Sequence, residues 1–345
     1  MLIKSTLIWI IVIVCLAGCK SDKIATIETG TRQTQARNDT PDYFRDLDLK
    51  ALDSGEVWEN KYGPGLKLTT THYEIFTMLL EPLILRHIPR FIESAYEAYN
   101  NQLPEHIESK TKFTIYLFAD RPQWEDFTGT FAGEQAEIFR RIKAGAYYHN
   151  GACVAYDIGY ERTLSVLAHE GWHQFNGRHF KFRLPSWLDE GTAMLFESYG
   201  TKNGTIYFEP GENSYRLDAL KKTLTKNKMM PLKDLIATNP GDVLATDQTE
   251  SVMAFYSQSY ALVRFLCEAG YNKQPDIYHR MLTDGLRGNW PLDEAGKKIA
   301  TDRNIPRDIQ WNHIVGLVLF KEYIGSDFDR IDKEYLAFCR QITAK

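Results

Sequence analysis

One short run of residues, His169-Glu170-Gly171-Trp172-His173, has the types and the spacing that could bind a metal ion and move a proton. Within an α-helix, residues i and i+4 are neighbours on one face. Two imidazoles on that face can reach one metal ion with bonds of about 2.0–2.1 Å. Glu170 lies about 100° further round the helix, where its carboxylate can face a water molecule on the metal without being a ligand. This is the mechanical sense of the His-Glu-x-x-His pattern.

The five-residue pattern alone is weak evidence, because two helical histidines can also be satisfied by ordinary hydrogen bonds. A catalytic zinc ion takes three protein ligands and keeps a fourth position open for water. A third ligand is therefore needed elsewhere in the chain. A second motif, Leu184-Pro-Ser-Trp-Leu-Asp-Glu-Gly-Thr-Ala-Met-Leu-Phe-Glu197, follows the first after a short loop.

Here the sequence resembles the gluzincin metallopeptidases, the peptidase-MA-like clan that includes the aminopeptidase N family. The second helix of those enzymes carries Trp-Leu-x-Glu-Gly, whose glutamate is the third zinc ligand. The resemblance implies that one Zn²⁺ is held by His169, His173 and Glu190, with Glu170 as the general base. The alternative for Glu190 is an acid near a helix N-terminus, stabilised by the helix dipole. Bacterial lipoproteins of this clan are similar as well.

Two further residues are candidates for supporting roles. Glu197 lies about two helical turns after Glu190, so we expect it to accept a hydrogen bond from a ligand histidine. Its alternative is a solvated acid, and Asp189 is a weaker candidate for the same role. The stretch Tyr-Ser-Gln-Ser-Tyr-Ala-Leu from Tyr256 partly matches the aminopeptidase motif Tyr-x-Lys-Gly-x-Ala-Leu. The resemblance gives Tyr256 the stabilisation of the oxyanion, and the alternative is a packing tyrosine on an amphipathic helix.

Other features of the chain limit this resemblance. Tyr260, His149 and His179 are rivals of Tyr256 as oxyanion donors. The aminopeptidase motif Gly-x-Met-Glu-Asn, whose glutamate binds the substrate amine, has no counterpart, since residues 144–150 contain no acid. This difference favours an endopeptidase over an exopeptidase. The same stretch can still act as an edge strand that pairs with an extended peptide.

The N-terminus has the features of an export signal. Lys4 precedes an apolar run over Leu7–Leu16, which is too short to span a bilayer. The tetrapeptide Leu-Ala-Gly-Cys ending at Cys19 resembles the bacterial lipobox, in which the signal is cut before a cysteine that carries diacylglycerol. The resemblance implies a protein of the bacterial cell envelope, held on the membrane through lipidated Cys19. Lys20 favours the outer membrane or the surface, and an uncleaved membrane anchor is the alternative.

The composition is that of a folded domain with no nucleic-acid partner. Of the 345 residues, 43% are hydrophobic, and the net charge of −4 is not that of a nucleic-acid binder with a basic face. We assign residues 1–18 to a lipoprotein signal peptide, 19–55 to a polar tether and 56–345 to a metallopeptidase domain. Its helical C-terminal subdomain begins at about residue 212. The remaining cysteines lack metal-ligand spacing, and we expect buried thiols with at most one disulfide: Cys153, Cys267 and Cys339.

The pattern along the chain predicts an α+β, zincin-like fold, in which a small mixed sheet packs on the His-Glu-x-x-His helix and helices follow. We expect Asn176-Gly177 to end that helix and Ser186 to cap the next one. Asn150-Gly151 is expected to turn a hairpin. The predicted helices are Thr70–Asn101 with breaks at Pro82 and Pro89, Arg121–Thr128, Arg162–Phe175, Trp187–Tyr199, Tyr215–Lys226, Glu250–Ala269, Pro275–Thr283, Trp311–Tyr323 and Asp329–Ile342, and the strands are Phe113–Phe118, Ala146–Tyr148 and Ala152–Tyr156.

These features together predict a membrane-anchored zinc peptidase that acts on a peptide or protein substrate. One alternative is a surface lipoprotein that binds a partner with the same fold and without hydrolysis. Another is a zinc hydrolase of a non-peptide amide. Glu170 argues against the binding module, because a structural zinc site has no use for a base.

Overall fold

A computed structural model describes residues 51–142, 145–241, 249–268 and 277–344. The predicted signal peptide, Cys19 and most of the predicted tether lie outside these residues. Within them the chain has the predicted α+β organisation, with a small sheet followed by a mostly helical part. In the described ranges no helix is long and apolar enough to cross a membrane.

The strands and helices are numbered in chain order. The strands are β1 (Ser54–Asn60), β2 (Gly63–Thr69), β3 (Tyr73–Thr77), β4 (Phe113–Phe118), β5 (Ala146–His149), β6 (Ala152–Tyr156), β7 (Tyr199–Lys202) and β8 (Thr205–Phe208). The helices are α1 (Pro82–Asn100), α2 (Arg121–Phe131), α3 (Ala136–Phe139), α4 (Tyr160–His179), α5 (Ser186–Ala193), α6 (Ser214–Thr225), α7 (Leu232–Ala237), α8 (Thr249–Glu268), α9 (Ile277–Arg287), α10 (Glu294–Thr301), α11 (Ile309–Trp311), α12 (Leu317–Tyr323) and α13 (Phe328–Thr343), and a π-helical segment (Asn312–Gly316) joins α11 to α12.

Six strands form one mixed sheet in the order β1-β2-β3-β4-β6-β5. The pairs β3–β4 and β4–β6 are parallel, and the other three pairs are antiparallel. Along β4, Phe113, Ile115 and Leu117 are buried in the main core and alternate with half-buried residues. The sheet thus has one face in the core that also contains α4, and its two edge strands are β1 and β5.

The hairpin of β5 and β6 is confirmed. It turns at Asn150 and Gly151, whose φ angles of 48° and 81° both lie in the left-handed region. Two such residues are required by the type I′ turn, whose twist matches that of the flanking strands. Asn-Gly adopts these angles at low cost, so the sequence predicted the turn correctly.

The predicted helix over residues 70–81 is wrong. Tyr73 and Ile75 are buried and alternate with half-buried neighbours, which is the period of a strand. Pro82 begins α1, in the first turn, where an N–H would have no helical partner. The helix then continues through Pro89 without the predicted break, because the buried face of α1 packs into the main core.

Two helix ends near the site also differ from the prediction. α4 continues past Asn176 and Gly177 to His179. Asn176 remains a helical residue because its side-chain Nδ2 donates to the carbonyl of Trp172 at 3.1 Å and to Asp189 Oδ1 at 2.8 Å. Gly177 is covered by the ring of Tyr148, whose hydroxyl would lie 2.8 Å from a Cβ at this position.

α5 is shorter than predicted and begins one residue earlier. Ser186 is its first residue rather than a side-chain cap, and Pro185 precedes it. The helix ends at Ala193, and a 3₁₀ turn follows. Tyr199, the predicted helix end, lies in β7 because that strand pairs with β8 in a second, two-stranded sheet.

The described helices after residue 212 follow the predicted order. The predicted helix ends at Ala269 and Pro275 lie outside the described residues. The prediction missed two short helices there, α7 and α10. Among the described residues, Cys153, Cys267 and Cys339 form no disulfide. Cys153 and Cys339 are buried as expected, whereas Cys267 is exposed.

Candidate metal centre

Three side chains from two adjacent helices converge in the core. His169 and His173 lie one turn apart on α4, and Glu190 lies on α5. The Nε2 atoms of His169 and His173 are 3.3 Å apart. Glu190 Oε2 lies 3.3 Å from His169 Nε2 and 3.8 Å from His173 Nε2. All three are buried, and one potential donor atom from each lies within 4.8 Å of the others. This group could hold a metal ion.

Close packing sets the position of α4. Tyr99 of α1 donates its hydroxyl to the carbonyl of Ala168 at 2.6 Å. Gly171, inside the motif, leaves room for that ring, since a Cβ there would lie 2.5 Å from the Tyr99 hydroxyl. Gln174 fastens the helix to the sheet, because its Nε2 donates to the carbonyls of Thr114 and Gly151.

The position of α5 depends on a second glycine. Gly191 follows Glu190 and faces α8, where a Cβ would lie 2.5 Å from both the Ser259 carbonyl oxygen and Val263 Cγ2. α5 can therefore approach α8 only with glycine here. The Glu-Gly pair thus has two separate physical roles, a carboxylate that faces the histidines and a backbone that contacts the next helix.

Each histidine of this group contacts a carboxylate through its Nδ1 atom. His169 Nδ1 lies 2.9 Å from Glu197 Oε1, and His173 Nδ1 lies 2.8 Å from Asp189 Oδ1. An ionised carboxylate is an acceptor, so each Nδ1 is a protonated donor, and each Nε2 is the nitrogen that faces the other two side chains of the group. The structure therefore places Glu197 where the sequence predicted it.

The low rank that the sequence analysis gave to Asp189 was wrong. Its side chain is buried and takes the same part beside His173 that Glu197 takes beside His169. Glu197 was preferred over Asp189 because of its helical spacing from Glu190. This spacing does not apply, because α5 ends at Ala193, before Glu197. The feature that could have identified Asp189 is its position next to Glu190, on a short helix that packs against α4.

Glu170 differs from every other acid of the site. Both of its carboxylate oxygens are buried, and neither has a hydrogen-bond partner within the described part of the chain. Burial raises the pKa of Glu170 to about 7, against the opposing charges of His169 and His173. A buried carboxylate with free lone pairs and a pKa near neutrality has the properties of a general base.

The surrounding charges keep the two supporting acids ionised. Burial opposes ionisation of Asp189, but the charges of His173 and Arg307 hold its pKa well below its usual range. Arg216 and His169 have the same effect on the pKa of Glu197. These two arginines were not identified from the sequence, because nothing in the motifs points to residues so far along the chain.

The four candidate oxyanion donors make different contacts in the structure. Tyr256 is buried on α8, with its ring centre 5.5 Å from the guanidinium carbon of Arg216. Tyr260 donates its hydroxyl to the carbonyl of Pro210. His149 packs against the rings of Phe131 and Phe139, and His179 packs against those of Phe113 and Phe175.

A cleft of about 510 Å³ passes beside the centre. Arg162 and Val166 of α4 line it and lie on the helical stripe that continues to His169 and His173. Glu197 and other charged, polar and aromatic side chains complete the wall, among them Glu161, Ser165, Tyr199, Glu212, Tyr215 and Arg216. The cleft thus reaches the centre at Glu197, the acid that contacts His169.

Comparisons of the chain with protein-family models, with curated proteins and with solved structures found no match.

Proposed function

We propose that this chain is a zinc-dependent peptidase of the gluzincin type, with a zincin-like domain held on the bacterial cell envelope by lipidated Cys19. The observation that carries the proposal is the spacing of three donor atoms. Ligands of a tetrahedral zinc ion with bonds of about 2.0–2.1 Å stand about 3.3–3.4 Å apart. Two of the three donor distances among His169, His173 and Glu190 are 3.3 Å and match this spacing, and the third, between His173 and Glu190, is longer at 3.8 Å.

The donor types also support zinc. Two imidazoles and one carboxylate form a set that catalytic zinc sites use, with a further position left for water or substrate. Hard cations such as Mg²⁺ and Ca²⁺ favour sites made of oxygen ligands. When bound, zinc would lower the pKa of a water molecule and polarise the carbonyl that this water attacks.

The chain's own residues would move the proton and hold the reacting groups. Glu170 accepts the proton of the attacking water and then passes it to the leaving amine. It is suited to this because its oxygens are buried and, among the described residues, make no competing hydrogen bond. Tyr256 is our candidate donor to the oxyanion, on the Arg216 side of the centre.

We infer a peptide or protein substrate from two features beside the centre. The cleft is lined by both charged and aromatic side chains, which suits a polar backbone with varied side chains. β5 is one of the two edge strands of the main sheet and could pair with an extended peptide. Residues 145–150 contain no acid for a substrate amine, which favours endopeptidase action.

Metal analysis followed by cleavage of a peptide library tests the proposal. We expect one zinc ion per chain, cleavage within peptides, and loss of cleavage with a chelator that is reversed by added zinc. Zinc without cleavage would favour the binding module, and cleavage of small amides alone would favour a non-peptide hydrolase. Absence of zinc would contradict the proposal outright.

A further inference from the structure

Behind each histidine–carboxylate pair lies an arginine from the helical C-terminal part. Arg216, on α6, donates through Nε to Glu197 Oε2 at 2.7 Å and through Nη2 to Glu197 Oε1 at 2.6 Å. Arg307, in the loop before α11, donates through Nη1 to Asp189 Oδ2 at 2.8 Å. The two arrangements Arg216–Glu197–His169 and Arg307–Asp189–His173 are therefore alike, although their residues come from distant parts of the sequence.

Both arginines are buried, with 4% of Arg216 and 7% of Arg307 exposed. An ionised carboxylate in such surroundings costs several kcal/mol unless a charge and hydrogen bonds compensate for it. Arg216 provides both through a bidentate fork, and Asn213 Nδ2 adds a hydrogen bond to Glu197 Oε2 at 2.9 Å. At Asp189, Asn176 has the corresponding place.

We propose that Arg216 and Arg307 are positioning residues of the metal centre. Each holds its carboxylate in one orientation, so that the carboxylate accepts from Nδ1 of the histidine and leaves Nε2 directed at the metal. The inference rests on the proposed zinc site and extends that site to two residues of the C-terminal part. Neither arginine is a ligand or touches the reacting atoms.

Because of the charges around the centre, removal of an arginine could either strengthen or weaken zinc binding, and the direction of this change tests the proposal. Four buried acids lie in or beside it: Glu170, Asp189, Glu190 and Glu197. With all four acids ionised and both histidines neutral, the two arginines compensate for half of this charge, and a divalent cation would compensate for the rest. Loss of an arginine has two opposite consequences for zinc. The more negative site would attract the cation more strongly, whereas the released carboxylate would no longer orient its histidine.

If positioning dominates, removal of either arginine weakens zinc binding. The measurement is the zinc dissociation constant of the full chain, in competition with a chromophoric chelator. Loss of an outer partner of a metal-bound histidine typically weakens binding by about 10–100-fold, and we expect this for Arg216→Ala and Arg307→Ala. Arg216→Lys keeps the charge and loses the fork, so it should also weaken binding.

Arg264 provides the matched control. It is buried and forms the same kind of fork, donating through Nε and Nη2 to Glu268 at 2.6 and 2.9 Å. Glu268 is an exposed residue at the end of α8. We expect Arg264→Ala to bind zinc within about twofold of the unchanged protein, since its carboxylate partner is an exposed acid outside the centre and its hydrogen bond from Nη1 to the Tyr260 hydroxyl at 2.9 Å involves none of the three proposed ligands.

A double-mutant cycle separates positioning from general destabilisation. If Arg216 acts through Glu197, then Arg216→Ala should weaken zinc binding in the unchanged protein and have little further effect in Glu197→Gln. Additive effects would overturn the proposal, and so would unchanged or tighter binding in both alanine variants. If an alanine variant does not fold, Arg216→Lys, which keeps the charge and loses the fork, decides by the same criterion.

The same experiment distinguishes this inference from the proposed function. If the unchanged chain binds no zinc, the proposed function itself fails. If it binds zinc and cleaves peptides while every arginine variant binds zinc equally well, only the positioning role fails. The absorption spectrum of the Co²⁺-substituted protein provides a second readout, which should change in Arg216→Ala and stay unchanged in Arg264→Ala.

Discussion

The hydroxyl of Tyr99 lies against Gly171, so that a Cβ on this residue would stand 2.5 Å from the Tyr99 oxygen. The same hydroxyl donates to the carbonyl of Ala168. α1 is thereby held against α4 at the turn that contains His169 and Glu170. In a helix interior, glycine is less favourable than alanine by about 1 kcal/mol. The contact with Tyr99 explains why a glycine nevertheless stands in the middle of the motif, since a Cβ would not fit there.

We therefore predict that Gly171→Ala destabilises the protein despite its better helix propensity. The expected loss is about 1–3 kcal/mol in the free energy of unfolding, the usual cost of overpacking a core. Denaturant unfolding measures it. Tyr99→Phe should recover part of the loss when combined with Gly171→Ala, because it removes the atom nearest to the new Cβ. A stabilised Gly171→Ala single variant would show that the contact is not a constraint.

Gly191→Ala should affect the metal as well as the fold. The new Cβ would lie 2.5 Å from the Ser259 carbonyl oxygen, and backbone cannot move aside as a flexible side chain can. We expect α5 to shift and Glu190 with it, so that zinc affinity falls together with stability, by about 1–3 kcal/mol for the latter. Gly211→Ala is the control, since its Cβ would have its nearest neighbour at 3.6 Å. Equal zinc affinities for the two variants would contradict this prediction.

Local motifs could be predicted from the sequence because their residue types and spacing determine their local geometry. The i, i+4 spacing places His169 and His173 on one face, and Asn150-Gly151 selects its turn. Other features depend on contacts across the fold. The sequence reads residues 70–81 as helical because their apolar spacing is ambiguous, and only pairing with β2 and β4 makes a strand of Tyr73–Thr77.

The outer parts of the site show the same limit. Arg307 reaches Asp189 across 118 residues of sequence, a separation that no local pattern encodes. Asn176-Gly177 reads as a helix end, and the helix continues there only because Asp189 and Tyr148 contact these two residues. Tertiary contacts thus decided the features that sequence reasoning missed.

Acid should destabilise the fold through His179. Its Nε2 is buried without a hydrogen-bond partner in the described ranges, and burial together with Arg178 lowers its pKa from 6.5 to about 4. Between these values the unfolded chain binds a proton that the folded chain does not bind, so stability falls as the pH falls through this window. His179→Gln should reduce the loss of thermal stability between pH 7 and pH 4.5. An unchanged loss would contradict the prediction.

The most direct test of the central claim is Glu170→Gln, compared with Glu322→Gln, which changes an exposed acid on α12. The amide keeps the size of the side chain and removes the base. We predict that Glu170→Gln retains one zinc ion per chain while peptide cleavage falls by about 100-fold or more, the usual contribution of a general base. Glu322→Gln should retain both zinc and cleavage. Full cleavage by Glu170→Gln would contradict the account.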